Sequence, residues 1–303
     1  MSNSDECGPP LLILFGKQGQ VAREIIHAAA DRWPLKVYSS SDVDLRNLDA
    51  VDAALLNAPH GSWVINAAAY TQVDQAESEP NVAHQINALA PERIALHSRR
   101  RQLRLIHLST DYVFSGEKEA PYVEDDPTGP LGVYGRTKLE GEQRIQNQLP
   151  EAIILRTSWV FSAHGKNFVR TMLRLGHQQR ELAVVANQRG GPTSAVSIAR
   201  TCLQILSQIS SKPTDRNGGI YHYSGTPPTT WHEFAVEIFR LAQLPVSVRP
   251  ITTAEYPTPA RRPANSVLDC RRIQQDFGIS PPSWKSDLRD VLSQLGFPQE
   301  VQQ

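Results

Sequence analysis

A tyrosine and a lysine four positions apart are the clearest chemical signal in this 303-residue sequence. Tyr134 and Lys138 open the helix-like stretch YGRTKLEGEQRI. Residues at i and i+4 share one helix face, so the phenol and the ammonium can address the same ligand. A phenol with a pKa of about 10 works near pH 7 only if its anion is stabilised, by on the order of 4 kcal/mol for three pKa units. A nearby lysine, aided by an oxidised nicotinamide, could supply that stabilisation.

A threonine hydroxyl is the expected third member of this group. Thr110 follows the apolar run LRLIHLS, which predicts a buried strand at residues 103–109. A hydroxyl at that strand end can polarise the same carbonyl that Tyr134 protonates. The set therefore predicts reduction of a ketone, with hydride added to carbon and a proton to oxygen.

A glycine turn follows the first predicted strand, LLILF. Gly16 and Gly19 let the backbone turn tightly and let its N–H groups approach a pyrophosphate at the start of the helix VAREIIHAAA. The positive end of a helix favours phosphate there. A tight turn without a ligand is the alternative, and the position after the first strand favours a dinucleotide cofactor.

The ends of the next two strands carry the remaining cofactor signals. Residues 39–41 are serines, with no Asp or Glu directly at the strand tip, so NADPH and NADH both fit. Asp44 could accept from the adenine amino group while Leu45 packs on its ring, although a helix-capping Asp44 is an equally open reading. The small residues at 67–69 would let a ribose lie against the backbone.

Short apolar runs alternate with helical stretches through the first half of the chain, including one long helical run from Asn81 to Arg101. This rhythm predicts an α/β, doubly wound parallel sheet of the Rossmann type. We expect residues 1–157 to form the dinucleotide-binding domain, with a strand near residues 219–225 returning to its sheet. Residues 158–303, rich in proline and glycine connections, should mainly form an interleaved, loop-rich substrate lobe.

Composition narrows the class of partner. Lys+Arg and Asp+Glu both number 31, so no net field favours a nucleic acid polymer or an anionic membrane. No apolar run approaches the roughly 20 residues of a membrane helix, and the polar N-terminus is unlike a signal peptide. Cys7, Cys202 and Cys270 lack metal-ligand spacing and fit reduced thiols. We expect a cytoplasmic protein that acts on a small molecule.

In combination, several motifs resemble those of the dTDP-4-dehydrorhamnose reductase family, an extended type of short-chain dehydrogenase. The resemblance runs from about Leu11 to beyond Asp269, and it includes two segments that ordinary short-chain dehydrogenases lack, AYTQVDQAESEP and STDYVF. The other matching segments are FGKQGQV, PYVEDDP, VYGRTKLEGE, LRTSWVFS, NFVRTML, RGGPTS and RPANSVLD. It implies NAD(P)H-dependent reduction of the 4-keto group of dTDP-4-dehydro-β-L-rhamnose to dTDP-β-L-rhamnose, a step of rhamnose biosynthesis.

The resemblance also implies a role for each matching residue. Those assigned to the cofactor are Gly16, Gly19, Gln20 and Val21 at the pyrophosphate, Asp44 and Leu45 at the adenine, Ala68, Ala69 and Tyr70 at the ribose and linker, and Tyr134 and Lys138 at the nicotinamide end. Those assigned to the sugar nucleotide are Thr110, Asp111, Trp159, Arg262 and Asn265. A tryptophan in a protein core is the alternative for Trp159, and a surface arginine for Arg262.

The sequence departs from the family pattern at a few positions. Ala22 stands where many relatives have glycine, and Ser115 replaces a frequent aspartate. Some relatives are dimers joined through Mg²⁺ and glutamates; Glu24 matches one such position, but Val196 stands where another carboxylate is expected. We therefore predict no metal, and a homodimer stays open.

Two other classes remain as alternatives. One is another sugar-nucleotide short-chain enzyme: a 4-ketoreductase of a different sugar, an epimerase or a dehydratase. Dehydratases place Asp-Glu after the threonine, and this chain has Asp111-Tyr112. A non-catalytic NADP-binding subunit is the other, because a regulatory subunit of methionine adenosyltransferase resembles the same fold and family. The intact set of Thr110, Tyr134 and Lys138 favours the reductase.

Overall fold

The fold is known from a computed structural model, which describes residues 9–211 and 218–298. The strands are β1 (Leu12–Phe15), β2 (Leu35–Tyr38), β3 (Trp63–Asn66), β4 (Arg104–Thr110), β5 (Ile153–Thr157), β6 (Val160–Phe161), β7 (Glu181–Val185), β8 (Arg189–Gly190), β9 (Thr193–Ser194), β10 (Gly219–His222), β11 (Thr229–Thr230) and β12 (Ser247–Ile251). The helices are α1 (Gln20–Ala29), α2 (Leu48–Leu55), α3 (Val73–Ala76), α4 (Pro80–His84), α5 (Ala90–Arg101), α6 (Val133–Gln148), α7 (Phe168–Gln178), α8 (Ala195–Ser211), α9 (Trp231–Leu241), α10 (Arg271–Phe277) and α11 (Trp284–Gln294).

The main sheet has six parallel strands in the order β10-β5-β4-β3-β1-β2. The strand order reverses direction at β1, which lies between β2 and β3. At this switch Phe15 aligns with Tyr38 on one side and with Asn66 on the other, so the three strands end level. The doubly wound parallel sheet is confirmed, and β10 pairs with β5 as the predicted returning strand.

Both faces of this sheet are covered, which explains why its strands read as continuous apolar runs. Leu12 and Leu14 point into one core, which also contains the inner face of α8. Ile13 and Phe15 point into the opposite core, beneath α2 and α5. Because side chains alternate between faces along a strand, a strand between two helical layers must be apolar at every position.

The later part of the chain has a core of its own. Phe161, Phe234 and Trp284 lie in a third apolar cluster, whose members all fall between residues 161 and 297. A small parallel pair, β7 with β12, borders it. Helix α8, by contrast, packs on α1 against the main sheet. Residues after 158 therefore contribute both to the core between the main sheet and α8 and to this third cluster, so the expected division at 157/158 is interleaved.

The helical run predicted from Asn81 to Arg101 is interrupted by a π-helical turn at Gln85–Leu89. Pro91 follows this turn and has no N–H to give to the carbonyl of Asn87, four residues earlier. That carbonyl oxygen instead faces Gly141 of α6, where an added Cβ would lie 2.1 Å from it. The turn thus brings α6 unusually close to its neighbour.

Within residues 9–211 and 218–298, no helix combines the length and apolar character needed to cross a bilayer. Cys202 and Cys270 are free and buried. Cys7 lies outside the described residues.

Replacement of Gly141 by alanine tests the close seating of α6. In an ordinary helix this change stabilises by about 1 kcal/mol, because glycine is a poor helix former. Here the methyl group meets the Asn87 carbonyl, so we expect a net loss of roughly 1–3 kcal/mol in the free energy of unfolding. Urea denaturation would measure it, with Gln143→Ala on the exposed face of α6 as the matched control. A more stable Gly141→Ala protein would contradict the contact.

Candidate active site

The three residues predicted to perform the chemistry meet at the carboxyl end of β4. Thr110 is the last residue of β4, and Tyr134 and Lys138 lie in the first two turns of α6. Burial raises the pKa of Tyr134 to about 12, while hydrogen bonding with the Thr110 side chain acts in the opposite direction. The ring of Tyr112 packs edge-on against Tyr134, with centroids 5.9 Å apart. The phenol is therefore held protonated, as a proton donor must be before it acts.

Lys138 is anchored on β4. Its Nζ lies 2.6 Å from the carbonyl oxygen of Leu108 and 3.1 Å from Nε2 of His107. The side chain is only 1% exposed. This burial lowers the pKa of Lys138 to about 8, and the carboxylate of Glu142 opposes the shift. Two partners on β4 fix the lysine head group near the carboxyl end of that strand, one helical turn along α6 from Tyr134.

The predicted glycine turn lies where the strand order reverses. Gly16 has a φ of 100°, and an added Cβ would lie 2.9 Å from the backbone nitrogen of Ala68, just after β3. Only glycine fits both the backbone conformation and this approach. Gly19 directly precedes α1, so the helix begins at this crevice. Ligands of open α/β sheets bind at such switch points.

Two further residues assigned to the pyrophosphate are already engaged in protein contacts. The side-chain oxygen of Gln20 accepts from Asn167 Nδ2 at 2.9 Å and from Ser162 Oγ at 3.0 Å. Val21 is buried in the core on the α8 side of the sheet. Any contact that they make with a phosphate therefore comes from their backbone N–H groups, at the start of α1.

At the adenine end, Asp44 binds Arg46 rather than a helix terminus. Its carboxylate accepts from the backbone N–H of Arg46 at 2.9 Å and from Nη2 of the same residue at 2.6 Å, and these bonds lower the pKa of Asp44. Asn47 caps α2 by accepting from two backbone N–H groups. The helix-capping reading of Asp44 is therefore wrong. Leu45 is buried in the core on the α2 side.

A carboxylate that the sequence reading missed lies at the tip of β2. Oδ2 of Asp42 accepts from the backbone N–H of Ser39 at 2.8 Å and from its hydroxyl at 2.6 Å, and these bonds lower the pKa of Asp42. The expectation of an acid-free strand tip is wrong, because the turn folds Asp42 back onto Ser39. A serine followed three residues later by an aspartate was the available signal. A cavity of about 520 Å³ opens here, lined in part by Lys17, Arg23 and Ser41.

The loop after β3 is held by an asparagine that the sequence reading also missed. The backbone N–H of Tyr70 donates to Oδ1 of Asn87 at 2.8 Å, and Nδ2 of Asn87 donates to the Tyr70 carbonyl at 3.2 Å. The same Nδ2 lies 3.1 Å from the hydroxyl of Thr137 on α6. The phenol of Tyr70 donates to Glu79, and burial together with that contact raises its pKa to about 12. The segment containing Ala68 and Ala69 is thus fixed.

Asp111, predicted to contact the sugar, directly follows Thr110 and is buried. Its Oδ1 accepts from the Thr110 hydroxyl at 3.0 Å. Burial raises the pKa of Asp111 to about 7, and hydrogen bonding by Ser266 and Thr110 limits the increase. The structure therefore places a carboxyl group whose pKa is raised by burial beside the Thr110 hydroxyl.

Trp159 has features of a core tryptophan and features of a side chain that could contact the sugar. Its ring stacks on Trp231 with centroids 3.5 Å apart and an interplanar angle of 7°. An added Cβ at Gly190 would lie 2.5 Å from the same ring. Trp159 nevertheless keeps partial exposure and has a left-handed backbone, with a φ of 46°. It is a packed, partly exposed side chain between β5 and β6.

The two residues predicted from the late loop have protein partners. Nη2 of Arg262 lies 2.8 Å from Oδ2 of Asp74, and Nη1 donates to the carbonyl of Ala260 at 2.7 Å. Nδ2 of Asn265 donates to the carbonyl of Lys118 at 2.6 Å. Arg262 thus links the late loop to α3, and Asn265 fastens the loop before Tyr122. Their contact with substrate stays a prediction.

No metal site is evident in the described residues, where no group of three or more His, Cys, Asp or Glu side chains could hold an ion. Glu24 has a buried Oε1 without a hydrogen-bond partner in this part of the chain. Nε2 of His164 lies 3.6 Å from this oxygen.

The buried carboxyl group of Asp111 predicts a pH effect on stability. Its pKa in the folded protein, about 7, exceeds its value in the unfolded chain, so folding favours the protonated form. Stability should therefore fall as pH rises from about 4 to about 7, by on the order of 1–3 kcal/mol. Asp111→Asn cannot ionise, so its stability relative to wild type should grow across this window in chemical denaturation at each pH. A constant difference would contradict the assigned burial.

Comparisons with known proteins agree with this geometry. Residues 11–297 match the model of the RmlD substrate binding domain. A dTDP-4-dehydrorhamnose reductase of Aggregatibacter actinomycetemcomitans is 42% identical, covering 92% of this chain and 97% of that protein, and one of Escherichia coli K12 is 40% identical, covering 94% and 97%. The structure of dTDP-4-dehydrorhamnose reductase from Bacillus anthracis in complex with NADP superposes with a TM-score of 0.88 at 31% identity, covering 94% of this chain and 99% of that one. The chain therefore belongs to the dTDP-4-dehydrorhamnose reductase family.

Proposed function

We propose that this protein reduces the 4-keto group of dTDP-4-dehydro-β-L-rhamnose to give dTDP-β-L-rhamnose, with NADPH or NADH as the hydride source. The observation that carries the proposal is the meeting of Thr110, Tyr134 and Lys138 at the carboxyl end of β4. Relatives about 40% identical bear the name of this reductase, which supports the choice of sugar nucleotide. The reaction belongs to nucleotide-sugar biosynthesis.

The crevice at the strand switch fits a dinucleotide. The backbones of Gly16 and Ala68 approach so closely that a side chain on Gly16 would occupy the space, and α1 begins there. N–H groups at the start of α1 would meet the pyrophosphate, and the segment from Ala68 to Tyr70 would flank the ribose. Bound there, the nicotinamide supplies the hydride. The B. anthracis relative, whose structure contains NADP, supports this assignment.

The side chains around Tyr134 would bind the keto oxygen, donate a proton to it, and hold the cofactor and the sugar. The Thr110 hydroxyl would bind and orient the keto oxygen, and the Tyr134 phenol would donate its proton to that oxygen. Lys138 would hold the nicotinamide ribose and, when charged, lower the pKa of the tyrosine. Asp111 would accept from a sugar hydroxyl, and Trp159 would pack on the hexose.

The cavity beside β2 suggests how the two cofactor forms are distinguished. Lys17 and Arg23 line it together with Ser39 and Ser41, a combination that favours a 2′-phosphate. Asp42 lines the same cavity, and its carboxylate repels phosphate and can accept from a 2′-hydroxyl. Opposed charges in one cavity favour use of both NADPH and NADH.

Net reduction is favoured over dehydration or epimerisation at the same site. Tyr112 stands directly after Asp111, where a dehydratase needs a glutamate for acid–base chemistry. The discriminating assay follows NADPH oxidation with freshly prepared dTDP-4-dehydro-β-L-rhamnose. A reductase consumes one NADPH for each product formed. Rapid conversion of the sugar without NADPH consumption would contradict the proposal.

We further propose a partner, a compartment and an assembly state for the protein. The partner is a small nucleotide sugar rather than a nucleic acid polymer or a membrane, the protein is cytoplasmic, and a homodimer is the assembly that stays open. Balanced charge across the chain supports this part of the proposal. Light scattering of the purified protein would measure the assembly state.

Tyr134→Phe should abolish turnover, because it deletes the proton donor and almost no volume. The loss should be at least about 3 kcal/mol, or more than a hundredfold in kcat, with NADPH affinity retained. Steady-state assays and fluorescence titration with NADPH would measure the two effects. The matched control is Tyr256→Phe, which removes an exposed phenol and should change neither. If Tyr134→Phe keeps more than about a tenth of wild-type activity, Tyr134 is not the proton donor.

Charge changes in the cavity beside β2 should shift cofactor preference in opposite directions. Asp42→Asn keeps the acceptor for Ser39 and removes the negative charge, so the ratio of kcat/KM for NADPH to that for NADH should rise roughly three- to tenfold. Lys17→Gln removes a positive charge and should lower the same ratio by a similar factor. Equal effects on both cofactors would place the 2′-phosphate elsewhere.

A further inference from the structure

A buried chain of hydrogen bonds joins the end of β3 to Lys138. The backbone N–H of Ala68 donates to Oδ1 of Asn66 at 3.2 Å, and Nδ2 of Asn66 lies 3.1 Å from Nδ1 of His107. On the other side of the imidazole, Nε2 lies 3.1 Å from Nζ of Lys138, which donates to the carbonyl of Leu108 at 2.6 Å. Asn66, His107 and Lys138 are each at most 1% exposed, so their polar atoms must find hydrogen-bond partners within the protein rather than in water.

The direction of this chain is set at its Ala68 end. A backbone N–H needs an acceptor, so the amide oxygen of Asn66 faces Ala68 and its NH₂ group faces His107. Nδ1 of His107 must then accept. Burial lowers the pKa of His107 well below its usual 6.5 whatever the charge of Lys138, so the ring is neutral. A neutral imidazole has one donor and one acceptor, which leaves the proton on Nε2.

The proton on Nε2 points at Nζ of Lys138, 3.1 Å away. An ammonium group has three donors and no acceptor, whereas an amine has a lone pair. Two donors facing each other in a buried site would leave both unsatisfied, at a cost that proteins generally avoid. Every group in the chain is satisfied only if Lys138 accepts from His107 and donates to Leu108.

We infer that His107 favours the neutral amine form of Lys138 in the free enzyme, so that the lysine is uncharged at about pH 9, and that it takes up a proton from solvent when NADPH binds. His107 is then a positioning residue that sets the charge of the lysine. The inference rests on the proposed placement of the cofactor beside Lys138. Ribose hydroxyls and phosphate charge at that position favour the ammonium form, because both stabilise a cation.

The acidic groups around Lys138 are already paired or protonated, so none of them forces the lysine into the ammonium form. On α6, Glu142 is the acid that acts on it, but Nη2 of Arg156 binds that carboxylate at 2.6 Å and the hydroxyl of Ser109 donates to it. Tyr134, one turn before the lysine, stays protonated because burial raises its pKa. On the next turn after β4, the carboxyl of Asp111 is bound by Thr110.

The remaining charged groups between α6 and its neighbouring helices pair on its outer side. His84 of α4 contacts Glu140, and Glu92 of α5 contacts Arg144. Burial itself lowers the pKa of Lys138 to about 8, in the direction that the hydrogen-bond geometry requires. No uncompensated acid among the described residues holds the lysine in its charged form.

Isothermal titration of the intact enzyme with NADPH, in two buffers of different ionisation enthalpy, measures the proton uptake. At about pH 9 neither the 2′-phosphate nor a phenol of raised pKa titrates, so Lys138 dominates the count. We expect wild-type enzyme to take up about one proton per chain at that pH, and much less near pH 6, where the free lysine is already charged. Lys138→Met should bind NADPH more weakly and show no uptake.

Two variants test the role of His107 from opposite sides. His107→Gln offers the lysine a carbonyl oxygen. Asn66→Asp accepts a proton from Nδ1 and so leaves Nε2 free to accept from an ammonium. Both should charge Lys138 in the free enzyme, and the uptake at about pH 9 should fall below roughly a third of the wild-type value. A purely structural role for His107 would change affinity or stability and leave the proton count unchanged.

The comparison of wild type with Lys138→Met decides the inference even if the other variants fold poorly. NADPH binding to wild type without proton uptake at about pH 9, or uptake that persists in Lys138→Met, would overturn it. The count requires cofactor binding and no turnover. An enzyme that takes up the proton and fails to reduce the sugar would contradict the proposed function while supporting this inference.

Discussion

The close seating of α6 on its neighbours is the constraint on which the site depends. An added Cβ would lie 2.2 Å from the carbonyl oxygen of Tyr112 at Gly135, and 2.1 Å from that of Asn87 at Gly141. These two contacts bring one end of α6 against the turn after β4 and the next part against the π-helical turn. Tyr134 precedes Gly135 and Lys138 lies between the two glycines, so the lack of a side chain at Gly135 and Gly141 sets the position of these two predicted site residues.

Close seating has an electrostatic consequence, because it places ionisable groups where water does not reach. Arg156 and Glu142 form a buried pair at 2.6 Å, and the guanidinium also lies over the ring of Phe114. Such a pair contributes little net stability after desolvation, but removing one partner would leave an uncompensated charge. Because Arg156 neutralises Glu142, that carboxylate does little to stabilise a charge on Lys138. The charge of Lys138 therefore depends on its own hydrogen-bond partners and on ligands.

The later part of the chain is tied to the crevice at the glycine turn by polar contacts between residues that lie far apart in sequence. Gln20 at the start of α1 binds Asn167 at the start of α7, and Asp74 of α3 binds Arg262 in the late loop. Both links join residues near the carboxyl ends of the parallel strands to the later part of the chain. A cofactor at the glycine turn would therefore contact residues whose side chains also hold the lobe.

The sequence by itself determined the parallel sheet, the returning strand, the glycine turn and the meeting of Thr110 with Tyr134, because period, strand ends and helix spacing are local properties. It placed no carboxylate at the tip of β2 and gave no role to Asn87 or His107. Those features depend on a turn that folds Asp42 onto Ser39 and on burial between strands and helices. Only the tertiary structure decided them, since desolvation and hydrogen-bond partners come from residues distant along the chain.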